Sequence, residues 1–132
     1  MQRYLIAYVV MLALFPVLDF VWIGTAARSL YQGEIGALLA PKPNVAAAAA
    51  FYAIYAAGVL VFAVAPGFAG DWRRALLLAA LFGFVAYATY DLTNLATLKA
   101  FTLKLSLIDM AWGAAMTTAV AGLAGLVARR FS

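Results

Sequence analysis

Three aspartates lie inside stretches of the chain that are otherwise apolar. Asp19, Asp91 and Asp109 each fall within a long hydrophobic run, where an ionised carboxylate is costly unless it has a partner or a task. Carboxylates grouped in a poorly solvated place can bind a cation, hold a proton or exchange protons with a substrate. These three acids are therefore the candidate catalytic residues and the first candidate ligand-binding residues.

Aromatic and polar residues accompany the acids at helical spacing. Tyr87, Asp91 and Asn94 follow an i, i+4, i+7 pattern, which places them on one face of a helix. Asp19 and Asp109 are each followed by a tryptophan one helical turn later. The predicted ligand-binding residues are Asp19, Trp22, Tyr87, Tyr90, Asp91, Asn94, Thr97, Asp109 and Trp112, and the predicted supporting charges are Arg28, Lys99 and Lys104.

The three acids are predicted to lie at one depth in a membrane. At about 1.5 Å per helical residue, Asp19 lies roughly 22 Å beyond Tyr4, and Asp91 lies roughly 24 Å beyond Ala75. Asp109 belongs to a helix of opposite direction and lies roughly 18 Å from the same membrane edge. This agreement predicts a shared polar pocket in the outer half of the membrane, between the first, third and fourth helices.

The alternative is that each acid only holds the bundle together through an ion pair or a hydrogen bond. One Asn or Thr would serve that purpose at a much lower desolvation cost, so three acids at one level favour a function. The partners under this alternative are Lys104 for Asp109, Arg28 for Asp19 and Asn94 for Asp91.

Composition restricts both the class of protein and its chemistry. Hydrophobic residues make up 68% of the 132 residues and charged residues 11%, and the mean hydropathy is +1.01, which indicates an integral membrane protein. The chain has no cysteine and no histidine, which excludes disulfides, thiolate zinc sites, histidine-ligated haem and Ser-His-Asp triads. A metal would need oxygen ligands, and we predict no metal and no cofactor. Most basic residues flank apolar runs, a pattern typical of headgroup anchoring, so we predict no nucleic-acid partner.

Four membrane-crossing helices are predicted to position the acids. The chain is one domain, residues 1–132, of the all-α class: an integral membrane four-helix bundle with spans at about 4–27, 45–65, 74–98 and 102–128. Asn44 and Asp71 are predicted helix caps, and the connector 28–44 is predicted to include a short piece in the interface. Residues 66–70 predict a tight turn. A cleaved signal peptide is the alternative for the first run, and Pro16, Asp19 and Trp22 within that run argue against it.

The fourth predicted helix carries small residues at every fourth position. Gly113, Thr117, Ala121 and Gly125 form a stripe that lets another helix approach closely. Two interpretations stay open, namely packing within the bundle and a homodimer through the fourth helix.

Three sequence motifs resemble those of a known family. Residues 90–99 read YDLTNLATLK, residues 107–113 read LIDMAWG, and residues 18–22 read LDFVW. Together they resemble a bacterial family of predicted four-span membrane proteins that is catalogued as a domain of unknown function. Members tend to carry a Trp-Pro pair after the lysine, where this chain has Phe101-Thr102. The resemblance implies a unit of this size with its signature at the three acids, and it implies no particular reaction.

The resemblance and the charge pattern predict a multi-pass protein of the bacterial inner (cytoplasmic) membrane. Five Lys or Arg residues flank the side that carries both termini, and four flank the other side. The positive-inside rule therefore predicts cytoplasmic termini. Insertion in both orientations, as an antiparallel dimer, is the alternative.

Three functions are compatible with a pocket lined by carboxylates. The first is binding or transport of a small cation or small amphipathic ligand with proton coupling. The second is a membrane-embedded acid–base enzyme that acts on a lipid or isoprenoid, with one acid as proton donor and another as acceptor. The third is an accessory membrane subunit. In each case membrane lipids are the expected surroundings.

Overall fold

The protein is an α-helical bundle whose long helices are apolar enough to cross a membrane. In the computed structural model, which describes residues 1–25 and 27–132, these helices are α1 (Gln2–Gly24), α3 (Val45–Ala69), α4 (Trp72–Thr97) and α5 (Leu103–Phe131). A short helix, α2 (Arg28–Ile35), and a 3-10 turn (Gly36–Leu38) lie between α1 and α3. No strand occurs in the described part of the chain. The predicted all-α membrane fold is confirmed.

Polar side chains start three of the long helices. The Asn44 side chain accepts a hydrogen bond from the Ala47 backbone N–H at 3.0 Å, and Asp71 accepts one from the Arg73 N–H at 3.0 Å. Each bond satisfies an N–H group that has no partner within its own helix. The two predicted caps are confirmed, and Thr102 caps α5 in the same way through the Leu105 N–H.

The predicted turn at residues 66–70 is wrong, because α3 continues through Pro66 to Ala69. Just before the proline, Leu60–Val64 forms a wider π-helical turn, in which the Ala65 N–H donates to the Leu60 carbonyl. Such a turn loosens the backbone where a proline ring would otherwise clash with the preceding turn. The chain reverses instead at Gly70 and Asp71, so α3 extends four residues beyond the predicted end of the second span.

Close backbone packing joins α5 to the other helices. It lies between α1 and α4, and α3 completes the bundle against α1 and α4. A Cβ atom added to Gly83 of α4 would collide with the Gly113 carbonyl oxygen and with Thr117, which shows how near α4 and α5 approach. The Tyr87 ring covers Gly113 in the same way. The stripe of small residues therefore packs within the bundle, and a dimer through α5 stays a prediction.

The outer surface of the bundle is apolar. Large hydrophobic side chains stand exposed on every long helix, among them Phe20 at 82%, Ile54 at 72%, Leu77 at 72% and Leu126 at 60%. A soluble monomer rarely exposes such continuous apolar surface, whereas lipid favours it. The protein is therefore an integral membrane protein.

Candidate ligand-binding site

A cavity of about 390 Å³ lies at the end of the bundle opposite the chain termini. Every long helix and the connector between α1 and α3 contribute to it, which fits a binding site between helices of a bundle. Two of the residues that line it are aspartates, and most of the others are aromatic. The lining residues are Asp19, Trp22, Ile23, Tyr31, Ile35, Leu39, Phe51, Ala86, Tyr87, Tyr90, Asp109 and Trp112.

Asp19 enters the cavity from α1, held by two hydrogen bonds. The Tyr52 hydroxyl of α3 donates to Oδ2 at 2.6 Å, and Trp112 Nε1 of α5 donates to Oδ1 at 2.9 Å. Asp19 is the last member of a stripe of buried residues at every fourth position of α1, so the packing of that helix aims the carboxylate inward. Both oxygens have donors, and neither donor carries a charge.

Asp109 accepts a hydrogen bond from the connector between α1 and α3. The Tyr31 hydroxyl of α2 donates to Asp109 Oδ1 at 2.5 Å, and Asp109 is only 5% exposed. Burial and the adjacent Asp109 carboxylate raise the pKa of Tyr31, so its phenol remains a donor throughout the physiological pH range.

The short helix α2 covers the cavity from outside the bundle. Ile35 packs on Phe101 and Leu105, and Thr102 Oγ1 donates to Glu34 Oε1 at 2.6 Å. Tyr31 adds the hydrogen bond to Asp109. Apolar packing and two hydrogen bonds therefore dock α2 against the start of α5 and the end of α4.

Two stacked tryptophans form one wall of the cavity. The rings of Trp22 and Trp112 are parallel to within 4°, with centroids 4.4 Å apart. Trp112 Nε1 is bound to Asp19, whereas Trp22 Nε1 is buried near the Tyr31 hydroxyl without a well-formed hydrogen bond among the described residues. The indole rings and the carboxylates that line the cavity together attract positive charge.

Asp91 lies behind the cavity wall rather than in it. Its side chain is fully buried, and no N–H or O–H group of the described residues donates to either carboxyl oxygen. Its polar neighbour is the Asp109 carboxyl, within hydrogen-bonding reach. The Ser106 hydroxyl of α5 donates to the Thr102 carbonyl at 2.9 Å and lies 3.4 Å from the Asp91 backbone carbonyl, so α4 and α5 are close together at this point.

The structure brings most of the predicted site residues together. Asp19, Trp22, Tyr87, Tyr90, Asp109 and Trp112 all line the cavity, and Asp91 contacts Asp109 from behind. Two predicted residues lie elsewhere. Asn94 does not line the cavity, and Thr97 is exposed, with its hydroxyl bound to the Thr93 carbonyl one turn earlier. Their ligand-binding role stays a prediction without support from their position.

The predicted supporting charges do not provide the hydrogen bonds of the acids. Arg28, Lys99 and Lys104 are exposed. The donors to Asp19 and Asp109 are instead two tyrosines and one tryptophan. The ion pairs of Arg28 with Asp19 and of Lys104 with Asp109 are therefore wrong, whereas hydrogen bonds from other helices do hold both acids.

Sequence reasoning missed several residues of the site, above all Tyr31 and Tyr52. Tyr52 is one of two side chains with a polar atom in an otherwise uncharged, apolar helix, which is a signal for an inward-facing hydroxyl. Tyr31, Ile35 and Leu39 were expected in the interface. Their spacing of four residues was the available signal for a face that packs on the bundle.

Four long apolar helices around a cavity with buried acids define a multi-pass helical membrane protein. The chain belongs to the family DUF2177, described as a predicted membrane protein, which matches residues 4–126. This membership confirms the resemblance found in the three motifs. No curated protein and no solved structure matches the chain.

Proposed function

We propose that this protein binds a small amphipathic organic cation in the cavity and exchanges it for a proton. One observation carries the proposal: Asp19 and Asp109 line the same aromatic cavity, and its described lining contains no lysine or arginine. A site with negative charges and no built-in counter-charge attracts a cation, all the more so where water is scarce.

The chemistry of the walls favours an organic cation over a metal ion. Trp22 and Trp112 line the cavity together with Asp19, and a cation over the open face of an indole ring gains about 0.5–2 kcal/mol. The apolar side chains Ile23, Ile35 and Leu39 suit the hydrocarbon part of an amphipathic ligand. Within the described residues, no three acidic side chains form a group that could hold a metal ion.

The position of the cavity suits exchange with a proton. Acids in a poorly solvated place hold protons readily, and an arriving cation can replace a proton without a change in the net charge of the site. A cation should therefore bind more tightly as the pH rises, because proton competition falls.

The experiment measures binding of radiolabelled benzyltrimethylammonium to purified protein in lipid nanodiscs. Neopentylbenzene has the same shape without the charge, so its failure to compete would show that the charge is recognised. We expect saturable binding that strengthens with pH and weakens at least tenfold in Asp19→Asn, which corresponds to about 1.4 kcal/mol.

Asp71→Asn is the matched control, because Asp71 caps α4 far from the cavity and asparagine is an equally good cap. It should bind as the wild type does. Equal binding by wild type and Asp19→Asn, or equal competition by the neutral isostere, contradicts the proposal. If the probe does not bind and a deletion strain has an altered lipid profile, the enzyme alternative is favoured instead.

A further inference from the structure

We propose that Asp91 and Asp109 share one proton, with Asp91 as the protonated partner, and that this carboxyl pair is the group that releases a proton when a cation binds beside Asp19. The shared proton stands on the structure alone. Its release on cation binding rests on the proposed function.

In the described part of the chain, Asp91 is isolated from water and from hydrogen-bond donors. Its carboxyl is fully buried and receives no hydrogen bond from an N–H or O–H group of the described residues. An ionised carboxylate in that position would lack both water and donors, at a cost of several kcal/mol. A protonated carboxyl is neutral and needs only one acceptor for its O–H group.

The polar neighbour of the Asp91 carboxyl is a second carboxyl group. The Asp109 carboxyl lies within hydrogen-bonding reach of Asp91, about one helical turn beyond Ser106, whose hydroxyl is 3.4 Å from the Asp91 backbone carbonyl. Two carboxyl groups can form a hydrogen bond only if one of them carries a proton. Tyr31 already donates to Asp109 Oδ1, so Asp109 acts as the acceptor. The consistent arrangement has the Asp91 O–H donating to Asp109, with one negative charge on the pair.

The ionisable groups that face the pair include no cation among the described residues. Tyr31 faces it from α2, Tyr87 and Tyr90 from α4, and Asp19 from α1, while Tyr52 of α3 is bound to Asp19. All of these groups are phenols or carboxyls. The described residues thus offer no positive side chain here to balance a second negative charge, and a proton takes that place.

These positions give the two parts of the site different tasks. Asp19 has a donor on each oxygen and stays available as a fixed negative charge beside the tryptophan wall. The pair behind it stores the proton. When a cation enters, the pair releases its proton to water through Asp109, which lines the cavity, and the cation supplies the positive charge in its place, so the charge within the site is conserved.

Infrared difference spectroscopy of the ligand-free protein tests the shared proton. A protonated carboxyl has a C=O stretch well separated from the carboxylate bands, and we expect one such band at neutral pH that Asp91→Asn removes and Asp19→Asn retains. In Tyr31→Phe the band should shift, because Tyr31 bonds to Asp109. Tyr8→Phe is the control, since the Tyr8 hydroxyl bonds to the Ala53 carbonyl, and it should leave the band unchanged.

The wild-type spectrum alone can overturn the shared proton, so the test does not depend on the folding of Asp91→Asn. Absence of any protonated-carboxyl band at neutral pH, or an unchanged band in a folded Asp91→Asn protein, overturns it. Proton release in weakly buffered solution tests the exchange: wild type should release one proton per benzyltrimethylammonium bound, whereas the ratio of protons released to cation bound should fall to zero in Asp91→Asn at saturating cation. Failure of the cation to bind wild type overturns the exchange and the proposed function, whereas the band still decides the shared proton.

Discussion

At the scale of single residues, the hydrogen bonds of the cavity come from uncharged aromatic side chains. Asp19 is bound by Tyr52 and Trp112, and Asp109 by Tyr31. A lysine or arginine in the same position would satisfy a carboxylate and also cancel its charge. Phenol and indole donors orient the acids and leave their negative charge for a ligand.

A second residue pair lies deeper in the bundle and offers a prediction about stability. The Tyr55 and Thr117 hydroxyls form a buried hydrogen bond of 2.8 Å between α3 and α5. We expect Tyr55→Phe and Thr117→Val each to lower the free energy of unfolding by about 0.5–1.5 kcal/mol, because each removes this bond. Denaturation in mixed micelles measures the effect.

The double variant is the control for the Tyr55 and Thr117 pair. If the bond is the cause, Tyr55→Phe/Thr117→Val loses less than the two single losses added together, because the second substitution removes nothing further. Strict additivity would show that the two hydroxyls stabilise the protein independently.

At the scale of elements, the contact between α4 and α5 fixes where the acids meet. Small residues let the two backbones approach, which places Asp91 against Asp109 near one end of the contact. Gly83 marks the closest point, since backbone and Thr117 surround it, whereas Gly122 faces only the tip of Leu76.

An alanine substitution should affect thermal stability differently at these two glycines. Gly83→Ala should lower the thermal midpoint, because the Gly113 carbonyl cannot yield easily and overpacking costs about 1–3 kcal/mol. Gly122→Ala is the matched control. The added methyl group meets a side chain that can move, and alanine favours the helix, so its midpoint should be unchanged or higher. A scanning fluorimetry experiment in detergent compares the two, and equal midpoints would contradict the packing described.

At the scale of the whole molecule, basic residues lie at both ends of the bundle. Arg3, Arg73, Arg74, Arg129 and Arg130 belong to the end with the termini, and four basic residues belong to the end with the cavity. At the first end, Arg129 stacks on Trp72 at 4.5 Å and Arg3 on Phe68 at 5.3 Å. This arrangement suits anchoring at lipid headgroups.

The end with the termini has only one more basic residue than the other end, so two substitutions there should change the orientation of the protein in the membrane. We expect the C terminus of the wild type to be cytoplasmic, so a C-terminal green fluorescent protein fusion should be bright and an alkaline phosphatase fusion inactive. Arg73→Ala/Arg74→Ala leaves three basic residues against four and should raise the phosphatase signal. Equal signals from both reporters in the wild type would support the antiparallel arrangement instead.

The sequence predicts the four long helices and places the three acids at one depth, for physical reasons. Lipid demands long helices with internally satisfied backbones, and the constant rise per residue converts the positions of Asp19, Asp91 and Asp109 into depths. Helical spacing could not identify the hydrogen-bond donors to the acids, because Tyr52 and Tyr31 are 33 and 78 residues from the acids that they bind. The predicted turn at Pro66 was wrong because a π-helical turn just before the proline relieved the clash that usually ends a helix.

The stacked indoles of Trp22 and Trp112 give the molecule a built-in optical signal. Two parallel chromophores in contact couple their electronic transitions, which produces an exciton couplet in the ultraviolet circular dichroism spectrum. Trp72, the remaining tryptophan, lies at the other end of the bundle beside Arg129 and contributes no partner to that couplet. Any ligand that separates or tilts the pair would change the couplet directly, so occupancy of the cavity can be followed in unlabelled protein.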